Sequence, residues 1–281
     1  MRTGMNLLLW TAHVDDAHAP LLAELAEAGF DGVEIPLFEG DAAHYRTVRA
    51  ELDRAGLACT TVTVAEPAAN AISPDAAVRA AFVERMRWAV EISEILGSDV
   101  LCGPLHQALG EFSGRGATAD EQHRAAEALR AAGEVAEGSG VTLAVEYLNR
   151  FECFFLNTAA AARELVEAVG HPSVRAMYDT FHAHIEEKSQ AGAIRTIAPV
   201  LAHFHVSEND RGAPGSGQVR FDEAFATLRE VGYDGWITIE AFGSALPDLA
   251  AATRIWRPLF ERESDVYGEG LALIRRYAAS C

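Results

Sequence analysis

The chain has 281 residues, of which 49% are hydrophobic, so it can build one large domain or two small ones around a sizeable core. Its formal net charge is −18, and a surface this acidic repels phosphate backbones. No apolar run approaches the roughly 20 residues that a membrane-spanning helix requires. We therefore expect neither nucleic acid nor a membrane among its partners.

The amino terminus and the cysteines predict a cytoplasmic protein. The first segment, MRTGMNLLLWTAHVDD, has one Arg, then a short apolar run, then acidic residues. A secretory signal would have a longer apolar stretch and a small-residue cleavage site. Cys59, Cys102, Cys153 and Cys281 form no CxxC pair and are too sparse for a disulfide scaffold. We expect reduced, mostly buried thiols.

Taken in chain order, short runs rich in β-branched residues alternate with amphipathic, alanine-rich stretches whose apolar residues recur at helical spacing. The predicted strands are Met5–Trp10, Gly32–Pro36, Ala58–Val64, Asp99–Gly103, Val141–Leu148, Val174–Thr180, Ala202–Glu208 and Trp236–Phe242. The predicted helices are Pro20–Ala28, Tyr45–Ala55, Asp75–Leu96, Ala119–Glu137, Thr158–Val169, Ala191–Leu201, Asp222–Val231, Leu249–Phe260 and Gly268–Ala279.

Glycines between the predicted helices and strands support this alternation. They stand in AEAGFDGVEI, DRAGLACTTV, ILGSDVLCG, GSGVTLAVE and EVGYDGWITIE, where a helix is expected to end in the left-handed conformation. Strict β–α alternation indicates a parallel sheet. Eight such units favour a closed (β/α)8 barrel, and an open doubly wound sheet is less favoured because the first strand lacks a GxGxxG turn. We predict a single (β/α)8 (TIM) barrel domain over residues 1–281.

Charged residues interrupt or end four consecutive apolar strands of this predicted barrel. They are Glu146, Asp179, His205 and Glu240. The carboxyl ends of barrel strands carry the active site, and burying unpaired carboxylates is costly, so three that converge imply a cation. One imidazole and three carboxylates favour Mn²⁺, Mg²⁺ or Co²⁺ in octahedral geometry. Any one of the four alone could be an ordinary polar residue at a strand end, whereas the set indicates a metal site.

Four segments carry a resemblance to a known family: EYLNRFE (146–152), DTFH (179–182), HVSENDR (205–211) and GYDGWITIE (232–240). With them the chain resembles the D-tagatose 3-epimerase, D-allulose (psicose) 3-epimerase and L-ribulose 3-epimerase group. This group belongs to the xylose-isomerase-like sugar phosphate isomerase/epimerase barrels. The resemblance covers essentially the whole chain and is strongest from Val141 to Phe242.

The resemblance implies a role for each of these motif residues. The four strand-end residues would bind a divalent metal, with Mn²⁺ expected first and Co²⁺ or Mg²⁺ as alternatives. Glu146 and Glu240 would also form the acid/base pair. Three further residues would hold the ketose near its O1, O2 and O3 end: Glu152, His182 and Arg211. Without the resemblance, Glu152 and Arg211 could be a solvated ion pair worth less than about 1 kcal/mol, and His182 a loop histidine.

The implied activity is that of an isomerase, a 3-epimerase of small free ketoses acting through a cis-enediolate. The C3–H beside a ketone is a weak carbon acid, and a cation at O2 and O3 stabilises the enediolate. Inversion needs one group to remove a proton and another to return one on the opposite face. D-fructose/D-allulose, D-tagatose/D-sorbose and L-ribulose/L-xylulose all remain possible, because Leu109 stands about where tagatose epimerases often have a Trp. The resemblance also implies a homodimer or homotetramer.

Other interpretations stay open at this point. A hydroxypyruvate-type isomerase or an inosose dehydratase would use the same barrel, a metal and carboxylates. An endonuclease-IV-like DNA repair enzyme would need more metal ligands and a basic DNA-binding face, which the charge disfavours. A non-catalytic sugar-binding barrel is disfavoured by the intact acid/base pair. Among weaker candidates, Glu34 is interpreted as structural, His13 as either a pocket residue or a solvated loop residue, and Glu208 as orienting a neighbour.

Overall fold

Eight parallel strands close on themselves in the computed structural model, which describes residues 1–278. Each strand pairs with the next, and β1 pairs with β8, so the predicted barrel fold is confirmed. The strands are Arg2–Asn6 (β1), Gly32–Pro36 (β2), Ala58–Val62 (β3), Val100–Gly103 (β4), Thr142–Glu146 (β5), Val174–Asp179 (β6), Leu201–Val206 (β7) and Trp236–Ile239 (β8).

Helices lie on the outside of the barrel, between successive strands and, for the last two helices, after β8. They are Ala19–Ala28 (α1), Ala42–Ala55 (α2), Ala76–Leu96 (α3), Ala119–Ala136 (α4), Ala159–Val169 (α5), Thr180–Glu186 (α6), Gln190–Ile197 (α7), Phe221–Glu230 (α8), Pro247–Thr253 (α9) and Glu263–Ala278 (α10). No helix within residues 1–278 is long and apolar enough to cross a membrane.

Local sequence explains where the helices begin and end. The side chains of Asp41 and Thr118 accept backbone N–H bonds in the first turns of α2 and α4, so groups without helical partners are satisfied. Gly29, Gly56 and Gly97 end α1, α2 and α3 with φ of 94°, 73° and 71°. The prediction that these helices end at glycine is confirmed, because this left-handed conformation costs glycine little.

The first strand differs from its predicted position. It covers Arg2–Asn6 rather than Met5–Trp10, and Leu7–Leu9 form a 3₁₀ turn instead. The reason is local, since the Asn6 side chain accepts the Leu8 N–H at 2.9 Å and so caps a turn where an extended strand was expected. This capping fixes which way the Asn6 amide points into the barrel.

Three other regions also depart from the predicted elements. The helix predicted at Leu249–Phe260 ends at Thr253, because Arg254 adopts a left-handed φ of 64°. Thr180, predicted to be the last residue of a strand, begins the short helix α6. The last helix starts before the predicted Gly268, at Glu263, and the predicted end at Ala279 lies outside the described residues.

An amino-end cluster of Arg2, Asp99 and Trp236 closes the barrel where the strands begin. The Arg2 guanidinium lies 4.2 Å from the Trp236 ring centroid, and its Nη2 is 2.6 Å from Asp99 Oδ2. The Trp236 Nε1 donates to Asp99 Oδ1 at 3.1 Å. A Cβ at Gly32 would lie 2.6 Å from the Trp236 ring, so glycine makes room for the indole. The opposite end of the barrel is lined by charged residues.

The thiols are buried, as predicted, at Cys59, Cys102 and Cys153, which are all free. Burial raises the pKa of Cys59 to about 12, so this thiol stays protonated. Cys281 lies outside the described residues.

Candidate active site

The structure brings the four strand-end residues together at the carboxyl end of the barrel. Glu146 ends β5, Asp179 ends β6, His205 lies in β7, and Glu240 follows β8. All four are buried, and one ligand atom from each lies within 4.8 Å of the others. Parallel pairing places Asp179 level with His205, so adjacent strands present their side chains at one height. We refer to these four residues as the carboxylate–histidine cluster.

Unsatisfied polar atoms in this cluster fit a divalent cation. Glu146 Oε1 and His205 Nδ1 are buried and have no hydrogen-bond partner within residues 1–278. The His205 Nδ1 lies 3.5 Å from Glu240 Oε1 and 3.9 Å from Asp179 Oδ2, so the ring nitrogen and both carboxylates converge on one space. Buried carboxylates require a compensating charge, and three oxygens with one imidazole match Mn²⁺, Co²⁺ or Mg²⁺ better than a soft, thiolate-binding metal.

The two glutamates of the cluster titrate in opposite directions. Burial and the neighbouring Glu240 carboxylate raise the pKa of Glu146 well above its usual value. Burial would raise the pKa of Glu240 too, but His205 and Arg211 lower it to about 2. Burial raises the pKa of Asp179 to about 6, against the lowering effect of Arg211. A buried pair separated in this way suits one proton donor and one proton acceptor.

Arg211 is the cation already present beside the cluster. Its Nη1 lies 2.9 Å from Asp179 Oδ2 and 2.6 Å from Glu240 Oε2. The guanidinium is packed between the rings of Phe181 at 3.9 Å and Phe242 at 4.9 Å, where cation–π attraction adds to the ion pairs. Arg211 thus pairs with two cluster carboxylates, rather than forming the solvated pair with Glu152 that was one alternative.

Arg211 lies in a segment that a buried carboxylate, Glu208, holds in place. Its φ is 68°, in the left-handed region that residues other than glycine occupy at a cost of about 1–3 kcal/mol. Glu208 accepts four backbone N–H bonds at 2.8–3.0 Å from the segment that follows it. A Cβ at Gly217 would lie 2.6 Å from Glu208 Oε1, so the segment can approach only with glycine there. Glu208 orients its neighbours, as expected.

His182 and Glu152 adjoin the cluster through a residue that the sequence analysis missed. The His182 Nε2 is 3.5 Å from Glu146 Oε1 and 3.0 Å from Arg211 Nη2. Its Nδ1 accepts the backbone N–H of Asn149 at 3.0 Å, and burial lowers its pKa well below the usual value, so the ring is neutral. Asn149 Nδ2 also donates to Glu152 Oε1 at 2.9 Å. The only sequence signal for Asn149 was its place in the E-x-x-N-R-x-E motif.

Two weaker candidates are placed differently from each other. Glu34, interpreted as structural, lies fully buried inside the barrel with an oxygen 2.9 Å from His205 Nε2. His13 instead stacks on His44 at 4.3 Å and lines an outer pocket with Glu39 and Asp41. The structure therefore joins Glu34 to the site.

A parallel β/α barrel with buried carboxylates and a histidine at the carboxyl ends of its strands is the arrangement of a barrel enzyme whose active site could hold a metal ion. The family described as "Xylose isomerase-like TIM barrel" matches residues 22–277. The ketose 3-epimerase of Arthrobacter globiformis is 32% identical over 278 residues, covering 98% of this chain and 96% of that protein. The D-psicose 3-epimerase of Agrobacterium fabrum is 32% identical, covering 92% and 91%.

Solved structures agree with these relatives. The crystal structure of D-allulose 3-epimerase from Methylomonas sp. in complex with D-allulose has a TM-score of 0.92 to this chain. The identity is 28%, and the match covers 99% of this chain and 97% of that one. The chain belongs to the xylose isomerase-like TIM barrel family and, within it, to the ketose 3-epimerase group. It is an enzyme of the isomerase class, a carbohydrate epimerase.

Proposed function

We propose that this protein is a metal-dependent 3-epimerase of free ketoses. The observation that carries the proposal is the buried carboxylate–histidine cluster, in which Glu146 and Glu240 have pKa values shifted in opposite directions. The relatives named above support the substrate class, since they are called ketose and D-psicose 3-epimerases and one solved relative contains D-allulose. The pairs D-fructose/D-allulose, D-tagatose/D-sorbose and L-ribulose/L-xylulose are the substrates to test.

In this proposal the four cluster residues hold the cation, with Mn²⁺ as the first choice and Co²⁺ or Mg²⁺ as substitutes. Such a cation would supply Lewis-acid stabilisation of the negative charge that develops on the sugar oxygens. In this proposal Arg211 and the neutral His182, whose Nη2 and Nε2 lie 3.0 Å apart, would donate hydrogen bonds to sugar oxygens at the same end. Glu152, held by Asn149, completes the proposed group that binds the C1–C3 part of the ketose.

The two glutamates carry the proton transfers. One carboxylate removes the proton from C3 to give a cis-enediolate of the sugar, and the other, protonated, delivers a proton to the opposite face. In the chain itself, Glu240 is held ionised by His205 and Arg211, while burial favours the protonated form of Glu146. The two carboxylates exchange roles in the reverse reaction, because the C3 proton of the other epimer lies on the opposite face of the sugar.

Isotope exchange tests this proposal directly. The protein is incubated with Mn²⁺ and each ketose in D₂O, and the products are separated by chromatography and analysed for deuterium. We expect deuterium at C3 of the epimerised product, since the returning proton comes from a carboxylate that exchanges with solvent. Epimerisation without deuterium at C3 would contradict the two-carboxylate mechanism, and aldose formation with exchange at C1 would favour the hydroxypyruvate-type isomerase alternative.

We also propose that the protein is a homodimer or homotetramer. The resemblance to the ketose 3-epimerases is the main support for this proposal. Trp256, one of the large residues near the carboxyl terminus, is 73% exposed and so is available for a contact with another subunit. Light scattering at working concentration measures the mass. A monomer of 30.2 kDa would contradict this part of the proposal.

A further inference from the structure

A fully buried carboxylate lies behind His205, on the side of the ring away from the carboxylate–histidine cluster. Glu34 is in the middle of β2 and is 0% exposed. Donors from three strands bond to it: Asn6 Nδ2 at 2.9 Å, Thr60 Oγ1 at 2.9 Å and Cys102 Sγ at 3.2 Å. The ring nitrogens His203 Nε2 and His205 Nε2 lie 2.8 Å and 2.9 Å from its oxygens, at ion-pair distance but outside hydrogen-bond geometry. The roles proposed above make no use of Glu34.

The two nitrogens of His205 face different carboxylates. Its Nε2 lies 2.9 Å from Glu34 Oε1, whereas its Nδ1 lies 3.5 Å from Glu240 Oε1 in the cluster. A neutral imidazole carries its proton on one nitrogen and offers the lone pair of the other to a cation. Whichever nitrogen donates to a fixed carboxylate is the protonated one, and a carboxylate in this place sets the ring orientation and raises ligand basicity.

We infer that Glu34 is a positioning residue, which keeps the proton of His205 on Nε2 and so presents Nδ1 to the cation. This inference rests on the metal site of the proposed function. Glu34 touches neither the sugar site nor the cluster oxygens directly, so it acts on the reaction through His205.

The surroundings of Glu34 are arranged to hold it in one orientation. His203 stands two residues before His205 on β7, so both rings point to the same side of the strand and meet both carboxylate oxygens. The Asn6 Oδ1 accepts the Leu8 N–H at 2.9 Å, which turns the Asn6 Nδ2 toward the carboxylates. That Nδ2 donates to Glu34 at 2.9 Å and to Glu240 at 3.0 Å. The group around Glu34 therefore reaches two of the four proposed ligands.

A purely structural role does not account for a charge at this position. Burying a carboxylate removes it from water, and apolar residues of similar volume fill a barrel interior without that cost. The neutral side chains of Thr60, Asn6 and Cys102 donate hydrogen bonds to the Glu34 carboxylate. They do not themselves require a charged acceptor. The ring nitrogens that face Glu34 are His203 Nε2 and His205 Nε2, and neither has another carboxylate at ion-pair distance among the described residues. A charge at this point therefore matches the two rings, and through His205 it reaches the cluster.

The test compares Mn²⁺ binding by the metal-stripped full chain and by its E34Q variant, using titration calorimetry. The amide of this variant would accept through one oxygen only and would turn its NH₂ group toward a histidine N–H, so we expect Mn²⁺ affinity to fall by about 10–100-fold. The matched control is E121Q. Glu121 is also a buried, well-bonded carboxylate, but its partners are Arg115 and Thr118 at the start of α4. We expect E121Q to lower thermal stability and keep the wild-type Mn²⁺ affinity.

The outcomes separate this inference from the proposed function. If the wild-type chain binds no stoichiometric Mn²⁺, the metal-dependent function fails and the inference with it. If the wild type binds Mn²⁺ and a folded E34Q binds it equally well, only the inference is overturned.

A second measurement decides the case if E34Q does not fold. In ¹⁵N NMR of the wild-type chain loaded with diamagnetic Mg²⁺, we expect His205 to be protonated at Nε2 and unprotonated at Nδ1. A proton on Nδ1 in the loaded protein would overturn the inference. The T60V variant removes one donor to Glu34 with little change in volume. We expect T60V to weaken Mn²⁺ binding less than E34Q does. An affinity equal to that of the wild type would count against a positioning role for the residues that bond to Glu34.

Discussion

The two ends of the barrel use the same kinds of side chain to different effect. At the amino end, Arg2 stacks on Trp236 and pairs with Asp99. At the carboxyl end, Arg211 is packed between two phenylalanine rings and pairs with Asp179 and Glu240. An arginine, an aromatic ring and a carboxylate thus stand at both openings.

Charge balance and burial distinguish the two ends. The Arg2 and Asp99 side chains are 48% and 50% exposed, and one positive charge meets one negative charge. At the carboxyl end the Arg211 and Glu240 side chains are 4% and 6% exposed, and Arg211 pairs with two of the three cluster carboxylates. A half-exposed pair of opposite charges stands at the amino end, whereas the buried group at the carboxyl end could hold a further cation. The same residue types therefore stabilise one end and form a candidate binding site at the other.

The largest expected effect is at Glu240. The E240Q variant keeps the shape of the side chain but removes its charge and its capacity to accept a proton. We expect kcat for epimerisation to fall by about 10²–10⁴, the usual contribution of general acid–base catalysis. The assay is product formation over the ketose panel, with the metal content of each sample measured. E240Q with full metal content and near wild-type kcat would contradict the catalytic role.

The next largest effect is expected from metal removal, which should affect the carboxyl end of the barrel and not the amino end. Dialysis against EDTA is expected to abolish activity, and Mn²⁺ or Co²⁺ to restore it. At a Mn²⁺ concentration 100 times Kd, the native state should gain about 2.7 kcal/mol, visible as a higher Tm. The D179N variant, which loses one proposed ligand, should lose most of this gain. Equal Tm values with and without Mn²⁺ in the wild type would count against a metal site.

The pH dependence of the metal-free protein provides a sharper test of the buried charges. The pKa of Asp179 is raised to about 6 from an unfolded value of 3.8, so its contribution to stability is fully present below that unfolded value. That contribution is lost as pH rises through about 6. Glu240 acts oppositely, because its pKa is lowered to about 2, and its contribution is lost only as pH falls through that value.

Buried neutral histidines such as His106 and His182 have lowered pKa values, so their contribution to stability rises with pH in the same window. The Asp179 contribution is therefore measured as the difference between the metal-free wild type and D179N. We expect D179N to become more stable relative to the wild type as the pH rises from about 4 to about 6, and Mn²⁺ to stabilise the wild type more at the upper end, because ligands must be ionised to bind. Thermal unfolding with and without Mn²⁺ across this range measures both, and a Tm difference between the two proteins that stays constant over the window would show that burial does not strain the Asp179 carboxylate.

The smallest effect is expected at the amino end. The D99N variant removes the charge of a half-exposed ion pair but keeps an oxygen for the Trp236 N–H. Such pairs contribute about 0–1 kcal/mol, so the Tm should fall slightly and kcat should not change. A large loss of activity in D99N would remove the distinction between the two ends.

Periodicity and helix-ending glycines were sufficient to predict the barrel, since both reflect local chemistry. β2 was predicted with its observed bounds, Gly32–Pro36. β1 was misplaced because the Asn6 side chain accepts the backbone N–H of Leu8 and ends the strand early. A hydrophobic strand pattern gives no information about such bonds. The seven-residue helix α6 was missed because it is too short to show a helical period.

The site was predictable where charge stands out from an apolar strand. Glu146, Asp179, His205 and Glu240 were found this way, and the structure brings them together. Glu34 and His203 interrupt strands in the same manner. The sequence does not say which inward-pointing carboxylate contacts which histidine ring inside the barrel. That pairing depends on the register of the closed sheet.

Because Glu208 binds four backbone N–H groups of the segment that carries Arg211, this guanidinium is in place before any sugar arrives. Ordering a loose segment at each encounter would cost roughly 1–2 kcal/mol per residue in conformational entropy. Here that ordering, including the left-handed backbone at Arg211, is completed during folding. In the proposed function the sugar would meet a preformed surface, and its binding free energy would be available for positioning C3 between the two carboxylates.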